Sequence, residues 1–246
     1  LDPARVLVQL ATYNEAANLP SLVERILEQD LGVGILVVDD NSPDGTGEIA
    51  DRLAGQSPLV QVLHRPGKQG LGTATIAGFR HALAAGAQAV ITMDADHAHD
   101  PAALPLFLAA LQEHDLVIGS RYLHGVSAVN WPLSRILVSW FANRYVRTIT
   151  GLRLADCTSG YRAYRRHLLE GLPWDGFISR GYSFMVEISC RAVWQGYRVG
   201  EVPIAIYGRL AGESKMTGRV LAESALVPWR LRLAHAAGRI KPAPPP

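Results

Sequence analysis

Ala87-Gln88-Ala89-Val90-Ile91-Thr92-Met93-Asp94-Ala95-Asp96-His97-Ala98-His99-Asp100 is the stretch that decides the fold. Its first half is short, apolar and flanked by turn residues, which reads as a strand buried on both faces of a parallel sheet. Its second half puts Asp94 and Asp96 one residue apart. Side chains two apart leave a strand in the same direction, so the two carboxylates repel unless something positive sits between them. A divalent cation carrying a diphosphate is the usual reason for such a pair. The other reading is a helix N-cap, because Asp100-Pro101 starts a helix. Capping explains Asp100 but not Asp94 and Asp96.

Working outward, the same alternation recurs. Arg5 to Ala11 reads as a first strand and Asn18 to Glu28 as an amphipathic helix. Gly34 to Asp40 is a second buried strand ending in acids, followed by a turn at Asn41-Ser42-Pro43-Asp44-Gly45 and a helix to Ala54. Leu59 to His64 is a third strand. A loop, Pro66-Gly67-Lys68-Gln69-Gly70-Leu71-Gly72, then leads into a helix ending near Ala85. Beyond Asp100 come a helix from Pro101 to Glu113 and a strand from Asp115 to Gly119. Strands alternating with helices of this length predict an α/β fold, a mostly parallel sheet with helices on both faces. Ligands of such sheets bind beyond the carboxyl ends of the strands, where Tyr13-Asn14-Glu15, Asp39-Asp40, Lys68 and Asp94-Ala95-Asp96 all fall.

The character changes after residue 120. Trp131 to Gly151 is helical and mixes Trp131, Trp140 and Phe141 with Arg135, Arg144 and Arg147. That mixture suits either a membrane–water interface or a packing helix with snorkelling arginines. A helix from Tyr182 to Gln195, a strand from Tyr197 to Ile206 and a basic amphipathic helix from about 217 to 240 follow, then a Pro-rich tail at 241–246. A single domain over residues 1–240 is expected. The net charge of +2 hides an asymmetry: residues 1–129 hold 7 Lys/Arg against 15 Asp/Glu, and residues 130–246 hold 17 against 7. An acidic half suited to metal is joined to a basic half suited to phosphate or an anionic membrane. Nucleic acid is the competing partner for the basic half. It is not expected, because the basic residues lie among apolar helices without aromatic-interleaved strands. Cys157 and Cys190 form no metal or disulfide pattern, so a reducing compartment is expected. With no signal peptide and no apolar run of about 18 residues, a cytoplasmic, peripherally membrane-associated protein is expected. Membrane contact would come from the 131–151 segment, the C-terminal helix or a partner subunit that anchors the chain.

The blocks Ala11-Thr12-Tyr13-Asn14-Glu15, Val37 to Thr46, Gly67 to Gly72, Met93 to Asp96, Gly119-Ser120-Arg121-Tyr122, Asn130-Trp131-Pro132-Leu133, Thr158 to Tyr164 and Gly212-Glu213-Ser214-Lys215-Met216 occur in that order. In them the chain resembles glycosyltransferase family 2, and within it the polyprenol-phosphate (dolichol-phosphate) mannose synthases. The resemblance implies the GT-A nucleotide-sugar-binding fold. It also implies transfer of mannose from GDP-mannose to a polyprenyl phosphate, with inversion and with Mg2+ or Mn2+. Ala11, Tyr13, Glu15, Val38 and Asp40 would surround the nucleoside, and Lys68 would lie near it. Asp94, Ala95 and Asp96 would approach the diphosphate, with Asp96 and Asp94 as metal ligands.

Carried over residue by residue, Arg121, Arg135, Ser139, Arg209 and Lys215 become the phosphate-handling set. Arg135 and Ser139 are four apart on one helix face. Arginine offers bidentate donors to phosphate and lysine a movable charge. Arg209 and Lys215 flank a stretch that could close over the site as a loop. Glu187 is a candidate either for ordering the acceptor side or for a structural role. The acceptor phosphate is already anionic near neutral pH, so no general base is required. Ala11 stands where the family usually has proline. Ala98 stands where the synthases often carry a glutamine ligand, leaving His97, His99 or water to complete a metal shell. A glucosyltransferase or another polyprenyl-phosphate transferase using a UDP-sugar, and a non-catalytic nucleotide-sugar-binding scaffold, are the alternatives.

Overall fold

The computed structural model describes residues 1–179, 181, 183–208 and 218–240, with the backbone alone for 218–223. In chain order the elements are β1 (Val6–Thr12), α1 (Leu19–Leu27), β2 (Gly34–Asp39), α2 (Thr46–Gln56), β3 (Val60–His64), α3 (Leu71–Ala84), β4 (Ala89–Asp94), α4 (Leu104–Ala110) and β5 (Leu116–Ser120). There follow β6 (Ala128–Val129), α5 (Leu133–Thr150), β7 (Arg162–Arg165), α6 (Arg166–Gly171), α7 (Ser183–Gln195), β8 (Val199–Pro203), β9 (Ile206–Tyr207) and α8 (Gly218–Ala236).

Seven strands form one sheet in the order β3-β2-β1-β4-β7-β5-β8, and β6 pairs with β9 in a separate ribbon. Every pairing in the large sheet is parallel except those of β7, which runs antiparallel to both neighbours. Side-chain parity divides the sheet into two cores. Val6, Val8 and Leu10 of β1 with Ala89, Ile91 and Met93 of β4 pack against Leu22, Ile26 and Phe107 of α1 and α4. On the other face Leu7, Val90 and Ile118 meet Phe79, Val146, Leu168 and Phe184. Coverage on both faces is why the strands are apolar runs rather than alternating ones. Helix α3 can lie close on β1 because Gly78 faces Gln9, where a β-carbon would come within 2.3 Å of the amide.

The expected helix from Pro101 to Glu113 is shorter, a single 3-10 turn over Pro101–Ala103 and then α4. The expected strand from Tyr197 to Ile206 is two, β8 and β9, which belong to different sheets. The expected helical stretch 131–151 is one helix, α5, closed by Gly151 at φ 76°. Strand β7 was not foreseen. Tyr161-Arg162-Ala163-Tyr164-Arg165 carries two arginines and follows Ser159-Gly160, the pattern of a loop. It sits in mid-sheet because the Arg162 guanidinium, with no exposed surface, donates to Ser159 O, Cys157 O, Met185 O and Ser189 Oγ. Among the described residues no helix is long and apolar enough to cross a membrane.

Candidate active site

Parallel pairing brings the strand ends to one edge. Ala11 stands opposite Val38 on one side and Asp94 on the other, so three of the expected donor-binding residues form a row across β2, β1 and β4. The loops beyond them are tied together. Asn14 N–H donates to Ser42 Oγ (3.1 Å), Glu15 N–H to Thr46 Oγ1 (2.9 Å) and Ala16 N–H to Asp44 Oδ2 (3.1 Å). Glu15 accepts a bond from the Asn18 amide at 2.8 Å. Lys68 Nζ sits 4.1 Å from the centre of the Tyr13 ring, which folds the 66–70 loop toward the same place. Asp40 is buried and paired with Arg65. Its neighbour Asp39 is structural, accepting from Thr12 Oγ1 and from both Ser42 donors. Asn14, Asn41 and His97 all have positive φ, at 60°, 54° and 60°. Left-handed backbone therefore gathers at the loops after β1, β2 and β4.

Asp94 ends β4 with its side chain 43% exposed, whereas Asp96 is buried and caps the Ala98 N–H at 3.1 Å. Neither histidine of this loop is offered to a metal. His97 Nδ1 accepts from Arg25 Nη1 at 3.3 Å, so its Nε2 carries the proton toward Ser21 Oγ at 3.0 Å. Arg25 also pairs with Asp100, so α1 holds both ends of the 97–100 turn. His99 Nδ1 accepts the Asp94 N–H at 3.1 Å, and the ring stacks on Tyr161. Burial pushes the His99 pKa down, against the pull of Asp94 and Asp96, and keeps the imidazole neutral. Among the described residues no group of three His, Cys, Asp or Glu is arranged to hold a metal. Two carboxylates remain, as for an ion completed by phosphate and water.

The basic side is built on α5. Arg135 lies over the Trp131 ring, 3.9 Å from its centre, and Ser139 Oγ accepts the Tyr122 hydroxyl at 2.7 Å. Arg121 is buried, donating through Nε to Asp156 Oδ2 (2.6 Å) and through Nη2 to Asp156 Oδ1 (2.8 Å) and Thr158 Oγ1 (2.6 Å). Burial alone would lower the arginine pKa and raise the aspartate pKa. Their mutual attraction outweighs it, so Arg121 ends above and Asp156 below the usual value. Glu201 fixes this aspartate by accepting Ala155 N–H and Asp156 N–H. Asn143 ties α5 to the same loop, donating to Thr158 Oγ1 and Ser139 O and accepting Cys157 N–H. The two sides meet at His99, whose environment includes Asp94, Asp96, Arg121 and Asp156. They are also joined by backbone, since Tyr207 N–H of β9 donates to Ala98 O at 3.0 Å. Arg209 and Lys215 lie outside the described residues.

Residues 8–172 match the family model described as Glycosyl transferase family 2. The chain belongs to glycosyl transferase family 2. It is 46% identical over 230 residues to an undecaprenyl-phosphate mannosyltransferase of Micrococcus luteus, covering 94% of this chain and 95% of that one. It is 44% identical over 252 residues to a polyprenol monophosphomannose synthase of Mycolicibacterium smegmatis, covering 98% and 95%. In fold it is similar to glucosyl-3-phosphoglycerate synthase of Mycobacterium tuberculosis, with TM-score 0.68, 20% identity, and 96% of this chain and 81% of that chain covered. A mannosyltransferase of Pyrobaculum calidifontis, described in complex with GDP-Man and Mn2+, has TM-score 0.57 at 20% identity, with 96% and 75% covered. These likenesses place the chain in the GT-A fold.

Arg65, Tyr122, Asn143, Asp156, Thr158 and Glu201 support the site through contacts that the sequence does not disclose. One signal was available: acids are scarce beyond residue 130, so each one there is a candidate partner for a buried arginine or a loop backbone. Glu187 obeys that logic. It has no exposed surface, pairs with Arg191 and accepts Ile178 N–H and Ser179 N–H, which is the structural role. The buried thiols are inert, with burial pushing the Cys157 pKa up to about 12.

Proposed function

We propose that this glycosyltransferase moves mannose from GDP-mannose to a polyprenyl monophosphate, with inversion at the anomeric carbon. The observation that carries this reading is identity of 44% and 46%, along nearly the whole chain, to enzymes named for making polyprenyl phosphomannose. The charge layout agrees with it: an acidic strand edge suited to a metal–diphosphate is linked through His99 and Arg121 to the loop that Asn143 ties to α5, a helix whose arginines suit a lipid phosphate. Residues 1–240 work as one GT-A domain.

In this reading Ala11, Tyr13, Glu15, Val38, Asp40 and Lys68 receive the nucleoside, and Asp94, Ala95 and Asp96 the diphosphate. Asp96 and Asp94 would hold Mg2+ or Mn2+, and two hard oxygen ligands fit an ion whose other ligands are phosphate and water. Bound there, the ion neutralises charge on the departing diphosphate. Arg135 and Ser139 orient the acceptor phosphate, with Arg121 held behind them and Arg209 and Lys215 supplying further charge. The acceptor attacks as an anion, so positioning and exclusion of water replace a general base. Neutral His99 suits that scheme, because it holds the Asp94 backbone without adding charge. Membrane contact is peripheral, through the α5 and α8 face.

A donor panel on purified protein, metal-depleted and then restored, tests this. Turnover of GDP-mannose with a short polyprenyl phosphate, lost on metal removal and regained on return, is expected. Strong preference for UDP-glucose would replace the mannosyl reading. Donor binding without turnover under any metal would make the chain a scaffold.

A further inference from the structure

Tyr122 touches two of the groups proposed for the acceptor phosphate. Its ring centre lies 5.4 Å from Arg121 Cζ, within cation–π range. Its hydroxyl donates to Ser139 Oγ at 2.7 Å, which links the chain just beyond β5 to α5. Ser139 is fixed from a second side. Its carbonyl accepts Asn143 Nδ2 at 3.1 Å, while Asn143 Oδ1 accepts the Cys157 N–H at 2.7 Å.

A serine hydroxyl has one hydrogen to give and two lone pairs to receive with. Inside a helix that hydrogen commonly goes to the carbonyl four residues back. Helix α5 shows the habit: Thr148 Oγ1 donates to Arg144 O at 2.9 Å and Thr150 Oγ1 to Val146 O at 2.7 Å. Ser139 is held differently, its oxygen receiving the Tyr122 hydroxyl. A phenolic O–H is a stronger donor than an aliphatic one, so Ser139 Oγ is the acceptor in that contact and keeps its own hydrogen to give. Arg135 stands one turn back on the same helix, with its guanidinium over the Trp131 ring. Serine hydroxyl and guanidinium thus share one helix face, and a phosphate monoester brings three acceptor oxygens to such a pair.

We infer that Tyr122 is a positioning residue for the acceptor: by donating to Ser139 Oγ it turns the serine hydrogen away from the helix backbone and toward the lipid phosphate. The inference deepens the proposed function and rests on it, since it takes Ser139 as a contact of the acceptor phosphate. Without the phenol, Ser139 falls back on the Arg135 carbonyl, as Thr148 and Thr150 do on theirs, and the phosphate loses a donor.

The test measures kcat and both KM values, for GDP-mannose and for a short polyprenyl phosphate, with Mn2+. It compares the full chain with Tyr122→Phe, Ser139→Ala and the double variant. Tyr122→Phe keeps the ring against Arg121 and removes the hydroxyl alone. It should raise the acceptor KM about tenfold, as expected for one hydrogen bond to a charged group. Its kcat and GDP-mannose KM should stay within about twofold, the pattern of a lost binding contact. Ser139→Ala should raise the acceptor KM at least as much, and adding Tyr122→Phe to it should change nothing further. Losses that multiply in the double variant overturn the inference, as does an unchanged acceptor KM in a folded Tyr122→Phe protein. Equal rises in both KM values, or a fall in kcat alone, would make the hydroxyl a support of the fold and overturn it too. If Tyr122→Phe does not fold, Ser139→Ala must still raise the acceptor KM selectively, or the inference fails. An unaltered chain that transfers no mannose to polyprenyl phosphate marks the separate failure of the proposed function, and the inference falls with it.

Discussion

Asp156 has no exposed surface, and its carboxylate is shared among the Arg121 guanidinium and the N–H groups of Arg121, Thr158 and Ser159. Removing one partner of a buried pair leaves the other charged and unpaired, at a cost of about 3–5 kcal/mol. Asp156→Ala should lose stability of that order in urea unfolding, whereas Thr158→Val should lose much less. The pH dependence has a definite sign. The folded-state pKa of Asp156 is depressed, so its contribution is complete above the unfolded value near 3.8 and is lost as pH falls through the folded one. Acid unfolding should therefore begin at higher pH in Asp156→Ala, as followed by circular dichroism. At the donor side, Asp96→Asn keeps the cap on Ala98 but removes a charge. It should lower kcat by on the order of 10²–10³, and equal activity in the two proteins would remove Asp96 from the proposed metal site.

Helices α5 and α8 are the elements whose outer surfaces are least explained by packing. Leu133, Leu137, Val138, Trp140 and Phe141 on α5, with Leu226, Trp229 and Leu233 on α8, are all exposed. The two helices are joined where Tyr145 OH donates to Ala225 O at 2.7 Å and accepts Trp229 Nε1–H at 3.1 Å. Pro228 lies inside α8. Exposed apolar side chains next to arginines are suited to the boundary of an anionic bilayer, the membrane contact proposed above. Phe141→Asp with Trp229→Asp should reduce flotation with anionic vesicles at least about tenfold, since each burial is worth about 1.5–3 kcal/mol. Turnover of a short, water-soluble polyprenyl phosphate should change little. Undiminished flotation of the double variant would move the membrane contact elsewhere.

At the scale of the molecule, the parallel part of the sheet was legible because apolar runs such as Gly34 to Asp39 and Ala89 to Met93 carry their own evidence of burial on two faces. The strand ends with Tyr13, Asp40 and Asp94 were legible for the same reason, since topology forces them to one edge. Strand β7 was not, because it opens on Arg162, a buried arginine satisfied by the carbonyls of Cys157, Ser159 and Met185 and by Ser189 Oγ. Arg65 and Asp156 were missed for a related reason: ion pairs across 25 and 35 residues leave no periodicity to read. The family pattern named Arg121, Arg135 and Ser139 as candidates but gave no sign of the Asp156–Thr158–Asn143 scaffold, which holds Arg121 and ties to the Ser139 backbone.

All of these features serve one claim, that a donor diphosphate on the acidic edge meets a lipid phosphate on the basic helix. The measurement that tests it most directly is the anomeric configuration, by NMR, of the product formed from GDP-mannose and polyprenyl phosphate with Mg2+ or Mn2+. A β-linked polyprenyl phosphomannose, formed in a single inversion and absent without metal, is the expected result. An α-linked product, or free mannose with no mannolipid, would contradict it.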